Sequence, residues 1–162
     1  MPEPEKAITI EICEKILELI QSHSTTLSEV WTDPWTAEIQ YQFYNDASEL
    51  DDLEVSVVPG SLVCENLTRD GGRVQFTVGV SIGKRLLNDS EIPLLAAFSE
   101  KLLLILQGFP SFRPASASCR GAELATISTE SIYSNQTLEA VRTFDSLIVL
   151  TFNVYFKKGV IS

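Results

Sequence analysis

The chain has 162 residues, of which 44% are hydrophobic and 21% charged. This length favours one domain with a single core, and the composition is that of a globular protein rather than a disordered one. The formal net charge of −10 at pH 7 argues against nonspecific binding to nucleic acid, which depends on Lys and Arg at the phosphates, and against binding to an anionic membrane surface.

The first element predicted along the chain is an amphipathic helix from Ile8 to Ser22. Its apolar residues recur mostly at spacings of three and four, which places them on one face of a helix. Residues 1–7 contain two prolines and several charges and are expected to form a frayed N-terminal tail. The polar stretch SHSTTLSEV, residues 22–30, is expected to be a loop that carries His23 on its surface.

The motif WTDPW, residues 31–35, places two tryptophans beside a proline that disfavours a helix. Trp31 and Trp35 can each cover an edge of the core or contact a partner, because tryptophan is enriched at interface hot spots. A short strand is expected at residues 37–44. The acidic segment at residues 45–54 lacks the ligand spacing and the glycine of a calcium loop, so a solvated turn is expected there.

A β-hairpin is the clearest pattern in the sequence. Residues 53–59 alternate as in a strand, and residues 61–68 are expected to continue it after a bend. Asp-Gly at residues 70–71 supplies the positive φ angles of a tight turn, after which residues 73–85 form the second strand. One face of this second strand is predicted to be a core face: Val74, Phe76, Val78, Val80 and Ile82. The other face is small and uncharged, and is expected to contact either water or a neighbouring subunit: Gln75, Thr77, Gly79 and Ser81.

A second long helix and two further strands follow. The helix is expected over residues 91–107, largely buried, because its apolar side is broad and a glycine follows it. A loop rich in Ser, Ala, Gly and Pro is expected at residues 111–123, and a weaker strand at residues 124–133. The last strand, residues 144–158, is the longest and is apolar on both faces.

The order of these elements predicts an α+β fold. We expect a mostly antiparallel β-sheet of about four to five strands, packed by two main α-helices, in a single domain of residues 8–158. Residues 159–162 are expected to form a short C-terminal tail. The sequence contains no internal repeat, linker or low-complexity tract that would indicate a second domain.

The sequence carries no motif of a catalytic or cofactor site. It lacks GxGxxG, GxxxxGK[ST] and HExxH, and one histidine in a polar segment predicts no Ser-His-Asp set. Cys13, Cys64 and Cys119 are widely separated and form no CxxC pair, so no zinc or thioredoxin-like site is predicted and a reducing compartment is expected. No signal peptide is predicted, and the apolar run at residues 102–106 is too short to span a bilayer. We therefore expect no enzymatic activity, no cofactor and no metal.

Two basic pairs end predicted strands. Lys84 and Arg85 end the second hairpin strand, and Lys157 and Lys158 end the last strand. Charged strand ends discourage pairing between sheet edges of different molecules. The alternative is that these four residues form salt bridges with the acidic surface of a neighbouring subunit.

Two segments resemble a family of small phage and prophage tail proteins. The first is a strand ending in VVP, residues 57–59, followed by the pattern R-x-x-F-x-V-x-V-x-I-x-K at residues 73–84. The second is F-x-S-x-[LIV]-x-L-T-[FY] at residues 144–152. The resemblance extends from about Tyr44 to Lys158. In size and in α+β layout the chain is similar to the tail terminator, or tail-completion, proteins of long-tailed phages.

The resemblance implies a structural, non-enzymatic role. Such proteins form a ring, commonly a hexamer, that caps the tail tube and meets the head connector. The implied partners are further copies of the chain, tail-tube proteins and head-connector proteins, with no specific nucleic acid and no membrane. The implied location is the virion tail, after assembly in the cytoplasm of the bacterial host. Loops at residues 31–36, 60–72, 109–123 and 134–143 would be the docking surfaces.

Other functions stay open at this point. A head–tail connector or another minor tail subunit would follow the same physics with a different partner. A more remote alternative is a small ligand-binding domain or enzyme of the bacterial host, which would need a concave pocket with convergent polar groups.

Overall fold

The computed structural model describes residues 6–41, 51–68, 71–115, 119–129 and 142–156. Within these ranges the chain has an α+β fold of three helices and one five-stranded, mostly antiparallel sheet. The elements in chain order are α1 (Ile8–Ser22), α2 (Ser24–Val30), β1 (Trp35–Ile39), β2 (Leu53–Thr68), β3 (Gly71–Arg85), α3 (Glu91–Gln107), β4 (Cys119–Ser128) and β5 (Thr143–Phe156).

The helix α1 has the predicted bounds, but the loop predicted after it is wrong. Residues Ser24–Val30 form the short helix α2, in which the backbone N–H of Leu27 donates to the carbonyl of His23 at 3.0 Å. The Leu27 side chain is fully buried. Burial of this one leucine stabilises a turn whose polar composition alone does not favour a helix.

The strands lie in the order β1-β2-β3-β5-β4. The pairs β2–β3, β3–β5 and β4–β5 are antiparallel, whereas β1 runs parallel to β2. The predicted hairpin is confirmed, since β2 and β3 pair from Glu54–Gly83 to Thr68–Gly71, with register shifts in β2 between Pro59 and Leu62 and between Glu65 and Thr68.

Two strands differ from their predicted bounds. β1 begins at Trp35, two residues before the predicted start, and the predicted residues 42–44 lie outside the described part. β4 begins at Cys119, inside the segment predicted to be a loop, and ends at Ser128. Pairing with β5, together with the bridge between Ala122 and Phe112, orders Cys119–Glu123, because backbone groups of this segment find hydrogen-bond partners there.

The helices pack on one face of the sheet, and the core lies between. α1 contacts β1, β2 and β3, while α3 contacts β4 and β5. The predicted core face of β3 is confirmed, because all five of its apolar side chains are buried. α3 is buried along one stripe only, since Leu94 and Leu104 are about half exposed or more. No helix in the described part of the chain is long and apolar enough to cross a membrane.

Candidate assembly surfaces

The outer face of the sheet carries no helix among the described residues. It presents the residues of β3 that the sequence assigned to either water or a neighbour. These four residues form an uncharged surface on the helix-free side of the sheet. Gln75, Thr77 and Ser81 are half-buried there and Gly79 is buried. This face is open over β3 and β5 but not over β2, since Ser56 and Val58, which pair with Ser81 and Gly79, are 1% and 3% exposed.

Cross-strand neighbours extend this small, polar character over three strands. Thr77 pairs with Thr151 of β5, which pairs with Thr126 of β4. The side-chain amide of Gln75 donates to Oδ1 of Asn153 at 3.3 Å. Such pairs between neighbouring strands each contribute a fraction of a kcal/mol, about 0.2–1 kcal/mol, and leave the outer face without strong charge at its centre.

A buried ion pair anchors the junction between β3 and α3. Nζ of Lys84 lies 2.9 Å from Oε2 of Glu91, and the two side chains are only 4% and 11% exposed. Lys84 also donates to the carbonyl of Arg85 at 2.8 Å. Oε1 of Glu91 accepts the backbone N–H groups of Leu87 and Asn88 at 2.6 and 3.3 Å. The carboxylate of Glu91, the first residue of α3, therefore holds the turn that precedes the helix, and the helix dipole also favours negative charge at this position.

The pKa of Glu91 reflects this site. Burial by itself would raise it, but the hydrogen bond from Lys84, the backbone N–H of Leu87 and the positive charge of Lys84 outweigh burial. The net result is a pKa below the ordinary value of a glutamate. Glu91 therefore stays ionised at neutral pH and keeps its partner.

Trp31 and Lys84 do not lie on a surface, contrary to the predicted partner contacts. Each is 3% exposed, and Nζ of Lys84 lies 5.6 Å from the centre of the Trp31 ring. The indole N–H of Trp31 is buried and finds no acceptor among the described residues. Of the two alternatives for Trp31, the structure places it as a cover on the core edge, and the salt bridge of Lys84 is internal.

Trp35 and Arg85 remain closer to solvent. Trp35 is half-buried, packs edge-on against Phe98 with ring centres 5.3 Å apart, and donates its indole N–H to Oγ of Ser28 at 3.0 Å. Arg85 is exposed and pairs with Asp51 of the same chain. The other predicted basic pair, Lys157 and Lys158, lies outside the described residues.

The distal segment of β2, which we define as residues 59–63, is a feature that the sequence did not single out. β1 pairs only with Leu53–Val57, so among the described residues the distal segment has β3 as its one neighbouring strand. Leu62 and Val63 are 57% and 51% exposed. The two side chains point to opposite faces of the sheet, because Leu62 pairs with Phe76 of the core face and Val63 with Gln75 of the outer face. An open strand edge with exposed aliphatic side chains is a site at which another chain can pair.

A groove opens at the other side of the molecule, on the helix face. It has a volume of about 250 Å³ and lies between α1 and the segment after α3. We call it the α1 groove, and it is lined by Lys15, Glu18, Leu19, Ser22, Phe109, Pro110 and Phe112.

The far wall of the α1 groove is held in place from three sides. Phe112 exchanges two backbone hydrogen bonds with Ala122 of β4, at 3.0 and 2.7 Å. The Phe109 ring packs edge-on against Phe152, with centres 5.0 Å apart. Glu11 of α1 accepts the backbone N–H of Ala115 at 3.1 Å. The groove is therefore a formed feature of the fold.

Two ionisable groups on the outer face have shifted pKa values. Burial raises the pKa of Asp145. The phenol of Tyr155 donates to Oε1 of Glu123 at 2.7 Å, and this hydrogen bond raises the pKa of Tyr155. Among the described residues no three His, Cys, Asp or Glu side chains are grouped so as to hold a metal ion.

Comparisons with known proteins leave the family open. A scan against protein-family models gave no match, and a search of curated proteins also gave none. The function is therefore argued from the surfaces described above and from the sequence patterns.

Proposed function

We propose that this chain is a structural subunit of a phage or prophage tail, of the tail terminator type. In this role several copies form a closed ring that caps the tail tube and meets the head connector. The proposal includes no enzymatic activity, and it places the protein in the virion tail after assembly in the host cytoplasm. The sequence patterns at residues 73–84 and 144–152 suggest the class.

One structural observation carries the proposal: within the described ranges, helices cover one face of the sheet and none lies on the other. Antiparallel sheets commonly have one face in water. Here, however, exposed apolar groups accompany the small polar residues, since Leu147 and Tyr155 on the same face are 42% and 36% exposed. A mixed face of this kind suits packing against a neighbouring subunit or lining a channel.

The acidic charge of the chain supports the second use, the lining of a channel. With a net charge of −10 per chain, a ring of several copies would as a whole repel the phosphates of DNA, so that DNA passes through it without binding. If charge mapped onto a ring assembled from this chain gave a basic bore, this part of the proposal would be wrong.

The proposal is tested first by solution mass. Light scattering behind a sizing column, at several concentrations and two salt levels, is expected to give a mass near six times 17.9 kDa, or a rise towards it with concentration. Electron microscopy of the same sample is expected to show rings.

The function itself needs a second experiment that does not depend on self-association. Deletion of the gene from the phage or prophage that encodes it is expected to yield heads and tails that do not join, with tails of irregular length. Joined virions of normal tail length would contradict the proposal, whatever the mass of the purified chain.

A further inference from the structure

A pocket lined by arginines opens on the outer face of the sheet, along the edge strand β4. It has a volume of about 340 Å³, and its lining includes Ser111, Arg113, Arg120, Glu123 and Tyr155. We call this pocket the arginine notch. Among the described residues, none from the three helices is part of its lining.

The backbone pairing explains why these side chains meet. Phe112 exchanges two hydrogen bonds with Ala122 of β4, and both side chains pack on the core side. Because side chains alternate between the two faces of a strand pair, the next positions, Arg113 and Gly121, belong to the outer face. Gly121 pairs in turn with Tyr155 of β5. Since glycine has no side chain, a gap opens between Arg113 on one side and Tyr155 on the other.

A second arginine reaches the notch because β4 carries a bulge at this point. Arg120 is an extra residue between the positions of β4 that pair with Phe156 and Tyr155. A bulge of this kind re-aims a side chain. The side chains of Arg120 and Arg113 are both exposed, and both line the notch.

Arg113 has no partner within the described part of the chain. Arg113 makes neither a salt bridge nor a hydrogen bond with any described residue. A guanidinium group that faces a pocket in this way keeps its N–H donors for a ligand. Five other basic residues form salt bridges with acidic side chains of the same chain: Lys6, Lys15, Lys84, Arg85 and Arg142.

Arg73 extends the positive charge along the same row of the sheet. It lies on β3 and pairs with Tyr155, which pairs with Gly121 of the notch. The hydrogen bond to Glu123 raises the pKa of the Tyr155 phenol, and the positive charge of Arg73 lowers it by a smaller amount. Three arginines therefore lie near one another on the outer face, in a chain whose formal net charge is −10.

The chemistry of the notch fits a carboxylate. Each guanidinium group presents paired N–H donors that match the two oxygens of a carboxylate. Arg113 and Arg120 carry two positive charges and Glu123 carries one negative charge, so one net positive charge is left for a ligand. A single carboxylate neutralises this charge, whereas a phosphate monoester carries about −1.5 to −2 charges at neutral pH and would be repelled by Glu123.

The exposure of the notch favours a ligand with several carboxylates. One ion pair between exposed groups contributes little binding energy. Arg73 lies two strand spacings from Gly121 in the same row, which is roughly 10 Å. An acidic peptide can place one carboxylate in the notch and another near Arg73, so it gains from both contacts.

We propose that the arginine notch binds a carboxylate side chain of an acidic peptide segment on a partner protein, with a further acidic residue of that segment near Arg73. The guanidinium groups of Arg113 and Arg120 hold the carboxylate over Gly121, where the missing side chain leaves room. This inference concerns a binding site and stands whether or not the chain is a tail subunit.

Fluorescence anisotropy of a labelled peptide tests the site on the full chain. The probe is a short peptide in which Glu alternates with Gly, and its control is the same peptide with Gln in place of Glu. The Glu peptide is expected to bind at least about tenfold more tightly than the Gln peptide. Equal affinity for the two peptides would overturn the proposal.

Loss of single positive charges locates the site. Arg113→Ala and Arg120→Ala are each expected to weaken binding of the Glu peptide about tenfold, because each removes a charge-assisted hydrogen bond. Lys101→Ala is the matched control, since Lys101 is an exposed cation on α3, on the helix side of the sheet. It is expected to leave the affinity unchanged. A loss of equal size in Lys101→Ala would show that the peptide responds to net charge, and the site would be wrong.

Two further variants test the shape and the charge of the notch. Gly121→Leu fills the gap without changing the charge, and it is expected to reduce binding to the level of the Gln peptide. A Cβ atom at Gly121 would lie 3.7 Å from its nearest neighbour, so the fold has room for it, and circular dichroism checks that the fold is kept. Glu123→Gln removes the negative charge and is expected to tighten binding about twofold to fivefold. Unchanged affinity in both variants would contradict the geometry.

Other occupants of the notch give distinct outcomes. Inorganic phosphate that displaces the Glu peptide at a lower concentration than acetate does would assign the notch to a phosphate group. A wild-type mass above 17.9 kDa that falls in Arg113→Ala without any peptide would assign it to a second copy of the chain. Either result overturns the proposal, and neither changes the gene-deletion test of the tail function.

Discussion

The two halves of β2 have similar apolar sequences and opposite surroundings. In the first half, Leu53, Val55 and Val57 are fully buried between β1, β3 and the helix layer. In the distal segment, Leu62 and Val63 are more than half exposed. The difference begins where β1 ends, because β1 has five residues and pairs no further than Val57.

This comparison shows that the apolar residues of β2 on the core face are buried where β1 lies beside the strand and a helix covers it, whereas Leu62 and Val63 beyond β1 are exposed. The register shift between Pro59 and Leu62 marks the boundary. A bulge there re-aims the strand and increases its local twist. The apolar residues beyond it are available for a contact between molecules, whereas those before it stabilise the single chain.

The largest expected effect lies at the buried end of the sheet. Lys84→Met leaves the carboxylate of Glu91 buried without its partner, and we expect the free energy of unfolding to fall by about 3–5 kcal/mol. Urea unfolding at one protein concentration measures this loss. The double variant Lys84→Met with Glu91→Gln removes both charges and is expected to recover much of the stability.

An exposed ion pair at the same junction is the control for this effect. Arg142 pairs with Asp89, and the two side chains are 58% and 74% exposed. Asp89→Asn is expected to change the free energy of unfolding by less than about 1 kcal/mol. Similar losses for Lys84→Met and Asp89→Asn would show that burial of the Lys84–Glu91 pair has no special weight.

The next largest effect is expected at Gly60, within the register shift that separates the two halves of β2. A Cβ atom added at Gly60 would lie 2.5 Å from the carbonyl oxygen of Thr77, which is backbone and cannot move aside. We expect Gly60→Val to reduce the free energy of unfolding by about 3 kcal/mol, near the upper end of overpacking costs. Gly121→Ala is the control, since its nearest atom would be 3.7 Å away. Equal midpoints of thermal unfolding for the two variants would contradict the close approach.

A matched pair of valines measures the comparison between the halves directly. Val57→Ala is expected to lower the free energy of unfolding by about 1.5–3 kcal/mol, because the side chain is fully buried. Val63→Ala is expected to stay within about 0.5 kcal/mol of wild type. Both variants and the wild type are measured at the same low protein concentration, so that any assembly contributes little. A large loss for Val63→Ala would mean that the distal segment is packed within the chain.

The smallest effect is a pH dependence at Glu91. Its pKa is lowered from 4.5 in the folded chain, so the folded state binds this proton more weakly than the unfolded state does. The stability that the ionised group contributes is present above pH 4.5 and is lost as the pH falls through the lowered value. The difference in unfolding free energy between wild type and Glu91→Gln is therefore expected to shrink in this acid range. A difference independent of pH would contradict the shift.

Hydrophobic periodicity and turn-forming residues predict much of the fold. The three- and four-residue spacing located α1, and the Asp-Gly turn with its flanking alternation located the β2–β3 hairpin. The core face of β3 also follows from alternation, whereas β5 is apolar on both faces in the sequence and only the structure shows that Phe152 is buried with Phe76. These signals are local, and they agree with the tertiary structure because each segment is long enough to repeat its pattern several times.

Which residues lie on the candidate assembly surfaces could not be predicted without the tertiary structure. The sequence suggests Trp31 and Lys84 as partner contacts, but in the fold they are buried against each other. The ion pair between Lys84 and Glu91 forms because α3 begins close to the end of β3. α2 likewise depends on the burial of Leu27. No spacing rule relates residues that meet only through such contacts.

The sequence by itself determined the α+β class, the two long helices and the alternation of the strands, because these depend on neighbours along the chain. Only the tertiary structure decided which apolar residues remain outside. Leu62 and Leu19 look like core residues in the sequence, yet one stays exposed and the other borders a groove. The physical reason is that exposure depends on the length of β1 and on the course of the chain after α3, both of which are set by packing across the whole sheet.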